Sequence, residues 1–299
     1  MNNIEDEIIH KPVMINEVLS FIPENSNIVI DATLGEGGHT KAMLDLNLEV
    51  HSFERDKNIL DVAKKRLTNY KKFHYYNNTY DKMTESLPEN IIGNADFMLY
   101  DLGVSMFHFK KAERGFSFNE NNKLDMRLGI NEKNAYQVIN EYGKKDLERI
   151  FKDYGEIKNP SKLADAIIKE REKKNIETAK ELENIIFHNS DKSKKYGRIN
   201  PATLIFQAVR IEVNDELNIL KKSIENIKNI LKKYGVIVII SYHSLEDRIV
   251  KRFFKENEKT KNKDGIFRLL NSKVLTPTIE EIKLNPASRS AKMRAAQLL

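Results

Sequence analysis

The chain has 299 residues, with 50 lysines and arginines against 44 aspartates and glutamates, and it contains no cysteine. The absence of cysteine excludes a disulfide-stapled domain, a thiol nucleophile and a thiolate metal site. The length suffices for one large core or for two domains, and the formal net charge of +6 is a mild indication of a polyanionic partner.

Short runs rich in β-branched residues alternate with helix-length segments in the first hundred residues, which predicts a parallel, doubly wound α/β sheet. The predicted strands, including a fifth that comes much later in the chain, are Ile28–Asp31, Glu49–Phe53, His74–Tyr76, Asp96–Tyr100 and Val236–Ser241. The helices predicted to follow the first, second and third strands are Thr40–Leu46, Asn58–Leu67 and Met83–Leu87, respectively.

The pattern between residues 102 and 215 is helical and contains no convincing strand. Helices are predicted around Gly143, after an N-cap at Asn159 followed by Pro160, and after a capping box that starts at Thr178. We therefore expect a helical domain of residues 107–207, inserted into a discontinuous α/β domain of residues 1–106 and 208–299.

The last part of the chain is predicted to return to the sheet. Glu212–Leu231 has the pattern of a helix leading to the fifth strand, and Phe267–Leu275 and Ser290–Leu298 are predicted as antiparallel edge strands. No apolar run approaches the roughly 20 residues that a membrane span needs. The acidic N-terminus does not resemble a signal peptide, so we expect a cytoplasmic protein with no membrane partner.

A glycine-rich turn, Gly35-Glu-Gly-Gly38, follows the first predicted strand and opens a helix. Glycines there allow a tight turn and a close approach of the backbone to a ligand. A dinucleotide site requires G-x-G-x-x-G, and Thr40 stands where the third glycine belongs. The alternative, D-x-T-x-G-x-G beginning at Asp31, is typical of S-adenosylmethionine (SAM) sites, where that carboxylate suits the cationic amino-acid end directly or through water.

Further polar side chains follow the other predicted strands. Glu54 follows the second strand, where a carboxylate accepts the hydroxyls of a ribose, and Tyr80 follows the third, where an aromatic ring can stack on an adenine. Asp101 ends the fourth strand, at the edge of the sheet where such folds bind ligands. The structural alternatives are an N-cap role for Asp101, a turn position for Glu54 paired with Arg55, and a core position for Tyr80.

The fifth strand is followed by His243, a candidate proton relay. The same segment is also a capping pattern, Ser244-Leu-Glu-Asp247, in which Ser244 is the predicted N-cap of the next helix. The chain has seven histidines, scattered along the sequence, and no cysteine, so we expect no metal site.

Several longer blocks resemble the RsmH/MraW family, the 16S ribosomal RNA (cytosine-N4)-methyltransferases. They are His10–Met14, Asp31–His39, Asp101–Ser105, Glu113–Phe118, Leu124–Arg127, Pro201–Thr203, Phe206–Ile211, Ser241–Arg248 and Asn285–Ala291. The blocks cover nearly the whole chain in order, and Glu113–Phe118 and His243–Arg248 are more specific than a glycine turn.

The resemblance implies a Rossmann-like SAM-dependent methyltransferase sheet with an inserted helical domain. It implies methylation of the N4 amine of a cytidine in 16S rRNA, in the small ribosomal subunit or its precursor. By resemblance, the contacts to SAM lie at Gly37, Gly38, His39, Glu54, Tyr80, Asp101 and His108. The family more often has Asp, Phe and Gln at the positions of Glu54, Tyr80 and His108, and Glu36 replaces its usual glycine or basic residue.

The reaction class leaves several roles open. Asp101 serves either the cofactor or the target amine, and His243 is the candidate for proton transfer. Arg114, Phe116 and Phe118 combine a cation with aromatic rings, as base-stacking platforms do, and a packed loop is the alternative. Candidates for phosphate contacts are Arg127, Arg210, Arg248, Lys251 and the basic tail from Lys283 to Arg294.

Three rival functions remain at this point. One is a nucleotide-dependent dehydrogenase, and another is a non-catalytic RNA-binding or ribosome-assembly protein that kept the fold. A DNA amino-methyltransferase is a weaker rival, because the usual Asn/Asp-Pro-Pro-aromatic motif is absent at Asp101. The oligomeric state is left open, with a homodimer as one option.

Overall fold

The computed structural model describes residues 11–105, 107–108, 114–117, 121–129, 131–190 and 200–299 of the chain. The chain divides into two compact units. The sheet unit comprises Met1–Ser105 and Leu217–Leu299, and the helical unit comprises Met106–Glu216. The predicted return to the α/β domain at residue 208 falls inside a continuous helix, Pro201–Asn214, which belongs wholly to the helical unit.

The sheet has seven strands in the order β3-β2-β1-β4-β5-β7-β6. Their bounds are β1 Ile28–Asp31, β2 Glu49–Phe53, β3 Phe73–Tyr76, β4 Ala95–Asp101, β5 Leu231–Ser241, β6 Phe267–Leu269 and β7 Lys292–Leu298. Strands β1 to β5 are parallel to their neighbours, whereas β7 runs antiparallel to β5 and β6. This is the doubly wound α/β sheet that the sequence predicts, extended by two antiparallel strands.

Thirteen helices are defined in the described parts of the chain. Those of the sheet unit are α1 Ile15–Ser20, α2 Gly38–Asp45, α3 Lys57–Arg66, α4 Met83–Ser86, α11 Ile227–Ile230, α12 Ser244–Asn257 and α13 Ile279–Leu284, with most of α10 Glu216–Glu225. Those of the helical unit are α5 Ala135–Glu141, α6 Lys144–Asp153, α7 Ser161–Arg171, α8 Ala179–Asn189 and α9 Pro201–Asn214. Among the described residues, none of these helices has both the length and the apolarity needed to cross a bilayer.

The sheet is buried on both faces, because successive side chains of a strand point to opposite sides. On one face, Ile30 of β1 and Ile237 of β5 share a core cluster with Val250 of α12. On the other face, Val29 of β1 belongs to a second cluster with Met43 of α2. The result is a three-layer arrangement in which the carboxyl ends of β1 to β5 share one edge.

The helical unit has its own apolar interior. Helix α9 contacts α5, α6 and α8, and α7 contacts α5, α6 and α8. Gly143 is the N-cap residue between α5 and α6, as the predicted break requires. The capping box at Thr178 is present: its hydroxyl accepts from the N–H of Glu181, whose carboxylate accepts from the N–H of Thr178.

The structure corrects three predictions about the end of the chain. Strand β7 lies between β5 and β6, so it is an interior strand, and of these two predicted edge strands only β6 lies at an edge. Strand β6 ends at Leu269, and Leu275 makes only an isolated bridge to Met293. The helix predicted over Glu212–Leu231 is interrupted at Asp215, whose φ of 51° ends α9 in the left-handed conformation.

Candidate functional site

The strand order reverses between β1 and β4, and this is where folds of this class bind ligands, beyond the carboxyl ends of the strands. Asp31 is the last residue of β1, and Asp101 is the last residue of β4. Glu54 directly follows β2. The fold therefore brings the three predicted carboxylates to one edge of the sheet.

The glycine-rich turn joins β1 to α2. Gly37 is the N-cap residue of α2 with a φ of 82°, a conformation that favours glycine. A Cβ added to Gly37 would lie 3.0 Å from Cδ1 of Leu67, and one added to Gly38 would lie 3.2 Å from the ring of Pro12. Conformation and packing therefore both favour glycine at position 37, whereas at position 38 close packing against Pro12 leaves little room for a side chain.

Asp31 is fully buried, and both of its oxygens are used inside the protein. Its Oδ2 accepts from the hydroxyl of Thr40 at 2.6 Å, and its Oδ1 accepts from the N–H of Thr33 at 3.1 Å. Burial raises the pKa of this carboxyl group. Asp31 therefore holds the glycine-rich turn in place from within, and it presents no surface for direct contact with a ligand.

Asp101 lies between two side chains from different parts of the sheet unit. The hydroxyl of Tyr242 donates to Oδ1 of Asp101 at 2.7 Å, and Nδ1 of His39 lies 3.5 Å from Oδ2. Nε2 of His39 lies 3.0 Å from the carbonyl oxygen of Val13, which only accepts, so this nitrogen carries the proton. The ring is thereby oriented with Nδ1 toward Oδ2 of Asp101, so His39 and Tyr242 approach the two oxygens of this carboxylate from different sides.

Tyr242 is the residue of this site that the sequence analysis missed. Its ring covers Gly103, where an added Cβ would lie 3.1 Å from Cδ2 of Tyr242. Burial, followed by the neighbouring carboxylate of Asp101, raises the pKa of Tyr242 well above its usual value, so the hydroxyl stays protonated and donates. The available signal was an aromatic residue just after a buried strand, in the Ser241–Arg248 block.

Glu54 supports the glycine-rich turn from the neighbouring strand. Its Oε2 accepts from the N–H of Gly35 at 3.1 Å, and its Oε1 accepts from the N–H of Asp56 at 2.8 Å. Burial raises the pKa of Glu54 to about 7, and the nearby Asp56 carboxylate adds to the effect. The carboxyl group therefore changes its charge near neutral pH.

Tyr80 begins a short 3-10 helix, Tyr80–Lys82, after β3. Its ring meets the ring of Tyr100 edge-on, with 5.5 Å between centroids, and it packs partly buried against the core. The structure thus places Tyr80 beyond the end of β3, with one side of the ring fixed by the core. Stacking of the other side on an adenine remains a prediction.

The predicted N-cap at Ser244 is wrong. His243 is the N-cap residue of α12, and it forms a capping box with Glu246, whose N–H lies 3.5 Å from Nδ1 of His243. Oε2 of Glu246 accepts from the N–H of Tyr242 at 2.9 Å and from the N–H of His243 at 3.3 Å. Helix α12 therefore begins at Ser244, one residue earlier than predicted. His243, the residue proposed for proton transfer, caps this helix.

The candidate RNA-binding residues of the helical unit are mostly engaged within that unit. Arg127 bonds to both oxygens of Asp125, at 2.7 and 2.9 Å, and Arg210 bonds to both oxygens of Glu216, each at 2.8 Å. Phe116 is only 6% exposed, so it follows the packed-loop alternative rather than an open stacking platform. These guanidinium groups have carboxylate partners already, and their RNA contacts remain predictions.

The remaining predicted residues have different placements. His108 lies in the helical unit, 5% exposed, with its ring 5.1 Å from that of Phe116, and its role toward SAM remains a prediction. Arg114 donates to the carbonyl oxygen of Arg127 at 3.0 Å. Arg248 is exposed on α12. Phe118 lies outside the described residues.

Comparison with known proteins identifies related chains. The model of the MraW methylase family matches residues 7–299. The chain is 74% identical over 296 residues to the ribosomal RNA small subunit methyltransferase H of Brachyspira hyodysenteriae, with 99% of both chains covered. It is 42% identical over 293 residues to the protein of the same name from a Sulfurihydrogenibium species, covering 96% of this chain and 98% of that one. Among solved structures, an rRNA methylase from Streptococcus thermophilus aligns over 98% of this chain and 99% of its own, with 10% identity and a TM-score of 0.45.

Proposed function

The chain belongs to the MraW methylase family, and from this premise we propose that it transfers a methyl group from SAM to the N4 amine of a cytidine in 16S rRNA. The observation that carries the proposal is the 74% identity, over almost the full length, to a relative named ribosomal RNA small subunit methyltransferase H. Membership of a methylase family gives no support to the dehydrogenase alternative. The proposed substrate, rRNA of the small subunit or of its precursor, places the reaction in the cytoplasm.

The residues at the carboxyl edge of the sheet fit SAM, which is a nucleoside with a cationic amino-acid end. A Cβ built on Gly35, whose φ is 52°, would meet no atom nearer than 3.9 Å, so the turn leaves space beside its backbone. Glu54 supplies a carboxylate for the ribose hydroxyls, and Tyr80 supplies an aromatic ring for the base. When bound, SAM supplies a methyl group on a positively charged sulfur.

We assign Asp101 to the cationic end of SAM. The carboxylate offers a negative charge at the end of β4, and Tyr242 holds one of its oxygens at 2.7 Å. The other oxygen, Oδ2, lies 3.5 Å from Nδ1 of His39, and a carboxylate oxygen at this place suits an ammonium group with several N–H donors. Asp101 and Tyr242 thereby hold the amino-acid end of the cofactor.

The proposed transfer has a simple balance of bonds. A bond forms between N4 of the cytidine and the methyl carbon while the bond between that carbon and sulfur breaks. The protein must hold N4 about 3–3.5 Å from the methyl carbon and opposite the sulfur. The product amine is cationic and strongly acidic, so it loses its proton to water, and the capping role of His243 is compatible with this route.

The direct test uses small ribosomal particles that lack the modification, incubated with the protein and labelled SAM. We expect one methyl group on N4 of a single cytidine, located by mass spectrometry of rRNA fragments. Asp101→Asn should lower the rate at least tenfold, whereas Asp61→Asn, at an exposed position of α3, serves as the matched control and should not. Unlabelled RNA with normal binding of SAM and particles would overturn the proposal and favour the non-catalytic alternative.

A further inference from the structure

Two histidines and a glutamate form a cluster on β2 and β3. Oε1 of Glu49 lies 3.0 Å from Nε2 of His51 and 3.5 Å from Nε2 of His74. Glu49 and His51 share one face of β2, and His51 pairs in register with His74. The cluster lies where these strands begin, whereas the glycine-rich turn contacts the sheet where they end.

The three groups are ligands that divalent transition metals prefer. Imidazole nitrogen and carboxylate oxygen bind Zn²⁺ at about 2.0–2.2 Å, so neighbouring ligand atoms of a tetrahedral site lie roughly 3.3 Å apart. The observed separations of 3.0 and 3.5 Å lie on either side of this value. We propose that Glu49, His51 and His74 bind a divalent transition metal such as Zn²⁺, with water as the fourth ligand.

The surroundings of His51 support the proposal. In the metal-free protein, Nε2 of His51 hydrogen-bonds to Oε1 of Glu49 at 3.0 Å, and a metal would displace the proton between them. Nδ1 of His51 lies 2.9 Å from the hydroxyl oxygen of Tyr76, which can then accept a hydrogen bond from Nδ1–H. A hydrogen bond of this kind, made by the other ring nitrogen, orients most metal-binding histidines.

One rearrangement accompanies binding. The rings of His51 and His74 are stacked, with 4.5 Å between centroids and an angle of 16° between planes. A metal lies in the plane of each ring that binds it, so one ring must turn. His74 can do so, because 44% of its side chain is exposed and β3 is the outermost strand.

The location of the site assigns it a structural task. Glu49 and Glu54 are five residues apart, and at about 3.3 Å per residue along β2 their Cα atoms are roughly 16 Å apart. A metal on the cluster would link β3 to β2 and would not take part in methyl transfer. Because the unfolded chain does not preserve this arrangement, metal binding should stabilise the folded protein.

The test is titration of untagged, metal-free protein with Zn²⁺, followed by calorimetry and by the melting temperature. We expect one Zn²⁺ per chain and a higher melting temperature, and Co²⁺ in its place should give the absorption of a tetrahedral site. His74→Ala and Glu49→Gln should each weaken Zn²⁺ binding tenfold or more. His188→Ala, which removes an exposed histidine of the helical unit, is the control and should bind as the wild type does.

Two results would overturn the proposal: absence of Zn²⁺ binding by the metal-free wild type, or equal affinity in His74→Ala. Affinity for SAM should be the same in His74→Ala and in the wild type, with or without Zn²⁺. The proposed metal site and the proposed methyl transfer are therefore tested by separate measurements.

Discussion

At the scale of single residues, the orientation of Asp101 depends on a tyrosine 141 positions away in the chain. The hydroxyl of Tyr242 donates to Oδ1 of Asp101 at 2.7 Å, and the raised pKa of Tyr242 keeps it a donor at all physiological pH values. Tyr242→Phe removes this hydrogen bond but keeps the ring against Gly103. A hydrogen bond to a charged group contributes about 1.5–3 kcal/mol, which is the upper limit of its effect on binding, so we expect the Kd for SAM to rise by up to roughly 10- to 100-fold.

Calorimetry with SAM, together with KM and kcat for methylation, checks this prediction. The KM for SAM should rise with the Kd, and kcat should change little, because the hydrogen bond acts on the cofactor-binding end. A normal Kd with a reduced kcat would contradict the assignment and move Asp101 to the target amine. Tyr234→Phe, at an exposed tyrosine of β5, is the matched control.

Glu54 should make SAM binding depend on pH. Its pKa is raised to about 7, and only the ionised carboxylate accepts both hydroxyls of a ribose. Affinity for SAM should therefore rise roughly tenfold between pH 6 and pH 8, as the ionised fraction grows. The Kd measured by calorimetry across this range tests the idea, and Glu54→Gln should bind more weakly with a flat profile over these pH values.

Glu54 should also make the free energy of unfolding depend on pH, but in the opposite direction: stability falls with rising pH, whereas affinity for SAM increases. The pKa of Glu54 is higher in the folded state, about 7 against 4.5, so the folded state binds the proton more tightly. Its contribution to stability is complete below about pH 4.5 and is lost as the pH rises to about 7. The difference in stability between the wild type and Glu54→Gln should follow this trend, and a pH-independent difference would mean that Glu54 is not buried as described.

The sequence predicts the carboxylates of the site better than their partners. Asp31, Glu54 and Asp101 come directly at the ends of buried parallel strands, and such ends must share an edge of the sheet. The bond from Tyr242 to Asp101 depends on the register of β4 and β5, in which Asp101 pairs with Ile240. Local patterns contain no information on that register, so the contact could not be predicted.

At the scale of elements, the start of α2 depends on Gly37. Alanine there must adopt a φ of 82° and must place its Cβ 3.0 Å from Leu67. Gly37→Ala should lower the free energy of unfolding by about 2 kcal/mol or more, of which roughly 1 kcal/mol is backbone strain.

Gly93→Ala provides the matched control for this change. Gly93 has a similar φ of 75°, but a Cβ there would meet no atom nearer than 3.9 Å. Urea unfolding should show a loss in Gly93→Ala that reflects the strain alone and is smaller than the loss in Gly37→Ala. Equal losses would show that Leu67 does not restrict the turn.

At the start of α12, two substitutions of His243 distinguish a role in helix capping from a role in catalysis. His243→Ala should destabilise the protein by about 1 kcal/mol, the usual cost of losing an N-cap, whereas Asn, a good N-cap residue, should restore the stability. We expect His243→Asn to keep wild-type kcat, because the side chain serves the helix. A stable His243→Asn protein with a kcat lowered a hundredfold would return proton transfer to His243.

The elements themselves are mostly predictable, but their pairing is less so. The five parallel strands were located because their buried, β-branched residues are bounded by turns, and the capping box at Thr178 fixed the start of α8. The last strand, β7, was predicted at an edge of the sheet but lies between β5 and β6. This was not predictable, because pairing between distant segments leaves no local pattern. Asp215 interrupts the long helix through a left-handed conformation that aspartate adopts only in some contexts.

At the scale of the whole molecule, the excess of six positive charges says little about where RNA binds. Several basic residues that were candidates for phosphate contacts are paired inside the protein: Arg127 with Asp125, Arg210 with Glu216, and Arg294 with Asp247. A guanidinium that already has a carboxylate partner gains less from a phosphate. Arg248 and Lys251 are exposed on α12, where their charges are accessible to a polyanion, and we expect them to contribute to binding.

The salt dependence of particle binding tests this distinction. Each phosphate contact adds roughly 0.7–0.9 to the slope of log K against log salt concentration, because a bound counterion is released. The double variant Arg248→Gln/Lys251→Gln should therefore lower the slope by about 1.4–1.8 and weaken binding of small ribosomal particles at low salt. Arg210→Gln should leave the slope unchanged, because Arg210 is only 15% exposed and bonds to both oxygens of Glu216. Binding isotherms at four or five salt concentrations give the slopes, melting temperatures check the fold of each variant, and a reduced slope in Arg210→Gln would show that RNA displaces Glu216 from its partner.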